Sequence, residues 1–254
     1  GPPGVGKTFI ARKIAYEIMQ EVKDSNIEMV QFHQSFSYED FIQGLRPTQK
    51  GGFDLKDGIF YTFCQRALAH PERPFFFIID EINRGNLSKI FGELMMLIEA
   101  DKRDEKFALK LTYSEDEGDR FYVPDNLHII GTMNTADRSL AIVDYALRRR
   151  FAFISLQPDY GTAFRSFLIE NGVSSSFVEH ICNSVTRVNT KIKSDNNLGD
   201  GFQIGHSYFC SFKTGDDETI WWNEILQFEI KPLLEEIWFD DSSSVSEMLK
   251  LLSR

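Results

Sequence analysis

The first eight residues, Gly1-Pro2-Pro3-Gly4-Val5-Gly6-Lys7-Thr8, follow the spacing G-x-x-x-x-G-K-[ST]. In such a loop the backbone N–H groups converge on phosphate oxygens, and the helix that follows points its positive end at them. Lys7 is placed to reach the β- and γ-phosphates and Thr8 to hold Mg²⁺ through its hydroxyl. A second group of residues suits the same chemistry. The apolar run Phe75-Phe76-Phe77-Ile78-Ile79 stops abruptly at Asp80-Glu81. Asp80 would bind the metal, and Glu81 would orient or deprotonate an attacking water. Asn134, at the end of the next apolar stretch, is placed to bond the water or the γ-phosphate, with Asp137 and Arg138 just beyond. Arg148-Arg149-Arg150 follow a further apolar segment. Guanidiniums there can simply offset a helix dipole, but Arg149 and Arg150 can also enter a neighbouring subunit's site and neutralise charge on a γ-phosphate.

The elements needed to position these residues are readable from periodicity. Ile10, Ile14 and Ile18 form one stripe of a helix after the glycines. A strand follows at Ile27 to Phe32, and Ser37-Tyr38-Glu39-Asp40 has the form of a capping box. Gly51-Gly52 and Asp57-Gly58 punctuate a loop before a helix from Ile59 to Leu68. The Phe75 run is apolar on both faces, as a central parallel strand must be. A helix is expected from Lys89 to Glu99, then a hairpin whose arms are Leu109 to Tyr113 and Arg120 to Val123, with an acidic turn at Ser114 to Asp119. A strand at Leu127 to Gly131 and a helix around Ile142 to Leu147 complete the alternation. Strands alternating with helices imply an α/β fold: a mostly parallel sheet sandwiched by helices, with an inserted β-hairpin. From Pro158 the pattern turns helical, ending in a long helix from Trp221 to Trp238 that Pro232 kinks or interrupts. The expected domains are residues 1–156, an α/β nucleotide-binding core, and 157–254, a smaller helical lid. The strand that normally leads into such a glycine loop would lie upstream of Gly1.

Composition narrows the function classes. The chain has 254 residues with 28 Lys and Arg against 38 Asp and Glu, a formal charge of −10 that disfavours a DNA-coating surface. It holds no apolar run long enough to span a membrane and opens on no signal peptide, so a cytoplasmic setting and no membrane partner are expected. Cys64, Cys182 and Cys210 form no C-x-x-C pair, and His33, His70, His128 and His180 have no metal-ligand spacing. No G-x-S-x-G elbow occurs, so a hydrolase triad is unsupported.

Several of these runs resemble one family. Gly1 to Thr8, Phe32-His33-Gln34-Ser35, Asp57-Gly58-Ile59-Phe60-Tyr61, Asp80-Glu81-Ile82-Asn83-Arg84, Met133-Asn134-Thr135-Ala136-Asp137-Arg138-Ser139 and Asp144 to Phe151 are similar to the McrB-type motor subunit of modified-cytosine restriction systems, an AAA+ P-loop NTPase. Phe202-Gln203-Ile204-Gly205-His206-Ser207-Tyr208-Phe209 resembles the same family. The resemblance spans nearly the whole chain. It implies a homo-oligomeric ring, usually a hexamer, that binds GTP with Mg²⁺ and drives a separate McrC-like nuclease. It further implies that DNA is read by an N-terminal domain absent from this chain, that Asn134 and Asp137 lie in a sensor segment, and that the hairpin around Ser114 to Asp119 faces the pore or the partner. One departure is the lack of an arginine near Gly205-His206-Ser207, where broader relatives place a second sensor; His206 is the residue left to touch nucleotide there.

The residues by themselves support nucleoside triphosphate hydrolysis and do not choose the base. An ATP-driven remodeller of the MoxR or dynein-like kind and a nucleotide-gated scaffold remain as alternatives. Retention of Lys7, Thr8, Asp80, Glu81 and Asn134 speaks against the scaffold. No carboxylate-plus-lysine nuclease cluster stands apart from these motifs, so cleavage is expected from another chain.

Overall fold

The computed structural model describes residues 1–114, 118–137 and 148–253. The helix expected around Ile142 to Leu147, Arg138, and part of the acidic turn after Ser114 lie outside the described residues. The chain divides into two compact units. One joins 8–133 with 139–154, and the other joins 1–7, 134–138 and 155–254.

The first unit is built on a parallel sheet of β1 (Ile27–Gln31), β4 (Phe75–Asp80) and β5 (Leu127–Gly131), with β4 in the middle. Register runs Ile27 to Phe76 on one side and Phe75 to Leu127 on the other, so the three strands end together near Asp80. Phe75 to Ile79 are all buried because both sheet faces are covered. Side chains alternate along the strand. Phe76 and Ile78 pack on Ala11, Ala15 and Ile27, whereas Phe75, Phe77 and Ile79 enter the larger core. There Phe41 stacks on Phe60 at 4.7 Å between centroids, and Phe77 meets Phe60 edge-on at 5.0 Å. The small alanines let α1 (Lys7–Met19) lie close to its face of the sheet. The expected capping box is present: Ser37 accepts from the Asp40 N–H, and the Asp40 carboxylate accepts from the Ser37 N–H.

Three expectations for this unit are corrected. Residues read as a loop form a two-stranded antiparallel sheet, β2 (Gln43–Pro47) with β3 (Phe53–Asp57), closed through Gly51 and Gly52 at positive φ. The hairpin expected at Leu109 to Val123 is reduced to one bridge, Leu109 to Phe121, among the described residues. The Thr112 N–H there donates to the Glu93 carboxylate rather than across a strand ladder. The helix expected from Lys89 to Glu99 also ends early. It spans Leu87–Phe91 and tightens into a 3₁₀ turn at Gly92–Met95, because Gly92 takes φ +51.

The second unit is helical. Its longest helix, Ser175–Ser194, buries Phe177, Ile181, Val185, Val188 and Ile192 at three- and four-residue spacing. They share a core with Phe209, Trp222, Ile230, Leu234 and Met248. The expected helix from Trp221 to Trp238 is present as Glu218–Ile225 and Lys231–Ile237 joined by a π turn at Leu226–Ile230. The wider turn accommodates Pro232, which lacks an N–H and crowds the carbonyl four residues back, so the chain continues instead of stopping.

Candidate active site

Gly4 and Gly6 take φ of +73 and +71, a region L side chains rarely adopt, and this turns the loop tightly enough to feed Lys7 into a helix. Pro2 and Pro3 offer no N–H, so phosphate-facing donors must come from the residues after them. The Lys7 ammonium donates to the Pro2 carbonyl at 2.8 Å, to the Gly1 carbonyl at 3.3 Å and to the Asn134 side-chain oxygen. Two residues expected at the γ-phosphate end are thereby brought together within one unit. Asp137 lies in the same short segment, half-buried.

Thr8, next along the chain, belongs to the α/β unit. Its hydroxyl donates to the Asp80 carboxylate at 3.0 Å. The Thr132 hydroxyl donates to the same carboxylate oxygen. The Asp80 carbonyl accepts from the Phe32 N–H at 2.9 Å, while Thr132 bonds Ile79 and Ile82 through its backbone, each at 2.9 Å. The strand end that presents Asp80 is therefore locked from both sides. Glu81 follows in the left-handed region at φ +52, and the Arg84 guanidinium donates to its carboxylate at 3.3 Å. No group of three or more His, Cys, Asp or Glu able to hold a metal occurs among the described residues. A hydroxyl and one carboxylate are instead the donor set of a magnesium ion completed by water and phosphate oxygens, which Thr8 and Asp80 fit.

The arginines part company. Arg150 has a side chain only 9% exposed and pairs with Glu99 at 2.7 Å, whereas that of Arg149 is 70% exposed and sits 3.9 Å from the same carboxylate. His206, in the second unit, accepts at Nδ1 from the Asp159 N–H at 3.2 Å, which leaves the proton of the neutral ring on Nε2. Burial favours that neutral form, lowering its pKa against the opposing pull of Asp159. Thr132, Arg84, Glu99 and Tyr208 were not found from the sequence. Arg84 and Tyr208 lie inside runs that carry the family resemblance, but none of the four shows a local signal of its part in the site.

Comparison with known proteins gives a family. The AAA domain of the dynein-related subfamily matches residues 1–151, and the α-helical lid domain of McrB matches 180–246. The chain is 58% identical over 245 residues to the type IV methyl-directed restriction enzyme EcoKMcrB subunit of Escherichia coli (strain K12), covering 95% of this chain and 53% of that protein. It is 29% identical over 115 residues to the type II restriction enzyme BsuMI component YdiS of Bacillus subtilis (strain 168), covering 41% of this chain and 33% of that one. The chain thus spans about half the length of the first relative and a third of the second. No helix among the described residues is long and apolar enough to cross a membrane. With its glycine loop, its Asp-Glu strand end and its helical lid, the chain belongs to the AAA domain family, dynein-related subfamily, in the branch that carries the McrB lid.

Proposed function

We propose that this chain is the GTP-hydrolysing motor of an McrB-type restriction system. The observation that carries the reading is the pairing of Thr8 with Asp80 at 3.0 Å, immediately before Glu81, in a chain whose Lys7 follows two left-handed glycines. The loop N–H groups and the Lys7 ammonium hold the β- and γ-phosphate oxygens. Magnesium, when held by Thr8 and Asp80, offsets the negative charge on those oxygens. Glu81 orients a water and accepts its proton as the water oxygen bonds the γ-phosphorus and the bond to the β–γ bridging oxygen breaks. The nucleoside diphosphate leaves with both electrons of that bond, and inorganic phosphate carries the new P–O bond. Asn134 positions the water or the γ-phosphate, with Asp137 beside it in the sensor segment. His206 takes part of the role of the second-sensor arginine that the segment Gly205-His206-Ser207 lacks.

The identity to the restriction subunit supports the wider reading. Subunits assemble as a ring, with a hexamer the expected size, and Arg149 reaches a neighbour's γ-phosphate. A McrC-like nuclease cuts DNA containing modified cytosine, recognised by a domain outside this chain, in the cytoplasm. Steady-state phosphate release with GTP and with ATP tests the choice of base. We expect GTP to be preferred; equal or better use of ATP would replace this reading with an ATP-driven remodeller.

A further inference from the structure

Backbone N–H groups that converge on a phosphate leave the carbonyls of the same residues pointing outward, and each outward carbonyl requires its own donor. Every carbonyl from Gly1 to Gly4 has one. Gly1 accepts from the Thr135 N–H at 3.1 Å and from Lys7, and Pro2 accepts from Lys7. Pro3 accepts from the Gly205 N–H at 3.1 Å, and Gly4 from the Ser207 N–H at 2.8 Å. Two of the four donors thus come from one short segment of the helical unit, far away in sequence.

The fit there admits no side chain. A Cβ on Gly205 would lie 2.0 Å from both the carbonyl carbon and the oxygen of Gly4 and 2.5 Å from the Pro3 oxygen. These are backbone atoms that cannot swing aside. On the other side of the same residue, a Cβ on Gly4 would lie 2.5 Å from Cε2 of Tyr208, so the tyrosine ring backs directly onto the loop. Gly4 is therefore glycine for two reasons, its positive φ and this ring.

The segment itself is held rigidly. The buried Asn189 side chain accepts from the Ile204 N–H at 2.7 Å and donates to the Ile204 carbonyl at 2.9 Å, while the Tyr160 hydroxyl donates to that carbonyl at 2.8 Å. Asn189 lies on the longest helix of the unit, so the line from that helix to the phosphate loop runs through one residue, Ile204.

We propose that Gly205, Ser207 and Tyr208 are positioning residues for nucleotide binding, clamping the Pro3-Gly4 backbone of the phosphate loop in the shape that receives a triphosphate. The inference rests on the nucleotide-binding reading above and adds to it three residues that touch the loop rather than the nucleotide. A clamp of this kind presets the loop, so losing it lowers affinity for the phosphate chain before it lowers the stability of the fold.

The test uses the whole chain and fluorescent non-hydrolysable analogues of GTP and ATP, with the dissociation constant and the melting temperature read for each variant. Tyr208→Ala is expected to weaken binding of the preferred analogue on the order of tenfold, the size of one lost backbone-supporting contact. Its melting temperature should fall by only a few degrees. Tyr208→Phe, which restores the ring, should recover most of that affinity. Gly205→Ala should weaken binding at least as much. If Gly205→Ala does not fold, the tyrosine pair decides. Folded Tyr208→Ala that binds within about twofold of the unsubstituted chain would overturn the clamp, because that is a small fraction of one contact. An unsubstituted chain that binds neither analogue would instead overturn the nucleotide reading itself, and the clamp with it.

Discussion

Glu81 holds a backbone conformation that non-glycine residues rarely take, one position after the strand's last residue. The tie from the Ile82 N–H to the Thr132 carbonyl at 2.9 Å and the pairing of the strand on both sides leave the chain no other course there. Strain of this kind persists where surrounding structure over-determines it. Glu81→Gln keeps the shape of the side chain and removes its ability to accept a proton. We therefore expect that variant to bind nucleotide with little change and to lose about 10²- to 10⁴-fold in turnover. Turnover at the normal rate in a phosphate-release assay would remove Glu81 from the reaction. The types and order of Thr8, Asp80 and Glu81 were readable because they sit inside short, local patterns. A single threonine has no pattern of its own, and the role of Thr132 exists only once β5 is laid beside β4.

At the scale of elements, the three parallel strands and the helices Lys7–Met19 and Ile59–Leu68 lie where periodicity places them, since continuous apolar runs and helical stripes are themselves local signals. The departures have specific physical causes. The β2–β3 sheet reads as loop because its strands are short: β2, Gln43 to Pro47, holds Gly44 and Pro47 and does not alternate, and the alternation of Phe53-Asp54-Leu55-Lys56 is bounded by Gly51-Gly52 and Asp57-Gly58. The helix after Asn86 is shorter than its periodicity suggests because Leu94, Met95 and Ile98 keep helical spacing while Gly92 breaks the backbone beneath them. At Gly92 a Cβ would also sit 3.1 Å from the Tyr38 ring. Gly92→Ala should accordingly lower stability by about 1–3 kcal/mol, the range for a side chain forced into such a conformation. Denaturant unfolding measures it, and an unchanged midpoint would mean that the turn at Gly92 relaxes freely.

At the scale of the whole molecule, each unit has its own buried cluster, one centred on the phenylalanines of β4 and the other on the long helix Ser175–Ser194. The arginines show how a chain-level role is divided. Arg150 is committed to Glu99 inside its own fold, and Arg149 is left with most of its surface in solvent. We expect Arg150→Ala to lower the melting temperature, by about 1–3 kcal/mol of stability, because a partly buried carboxylate loses its partner. Arg149→Ala should leave the fold intact and reduce hydrolysis by about 10³- to 10⁵-fold if it serves a neighbour. Mixing Arg149→Ala with Glu81→Gln subunits should then restore part of the activity, since each supplies what the other lacks. A mixture as inactive as its components would count against action between subunits.

The order of residues alone determined the kind of chemistry and the class of fold, because phosphate loops, acidic strand ends and apolar periodicity are written over a few adjacent positions. Tertiary structure alone decided which arginine is exposed, which threonine supports Asp80, and that Gly205 must be glycine. Each of those facts depends on atoms that the folded backbone brings within a few ångströms across long stretches of chain, a proximity no local spacing encodes.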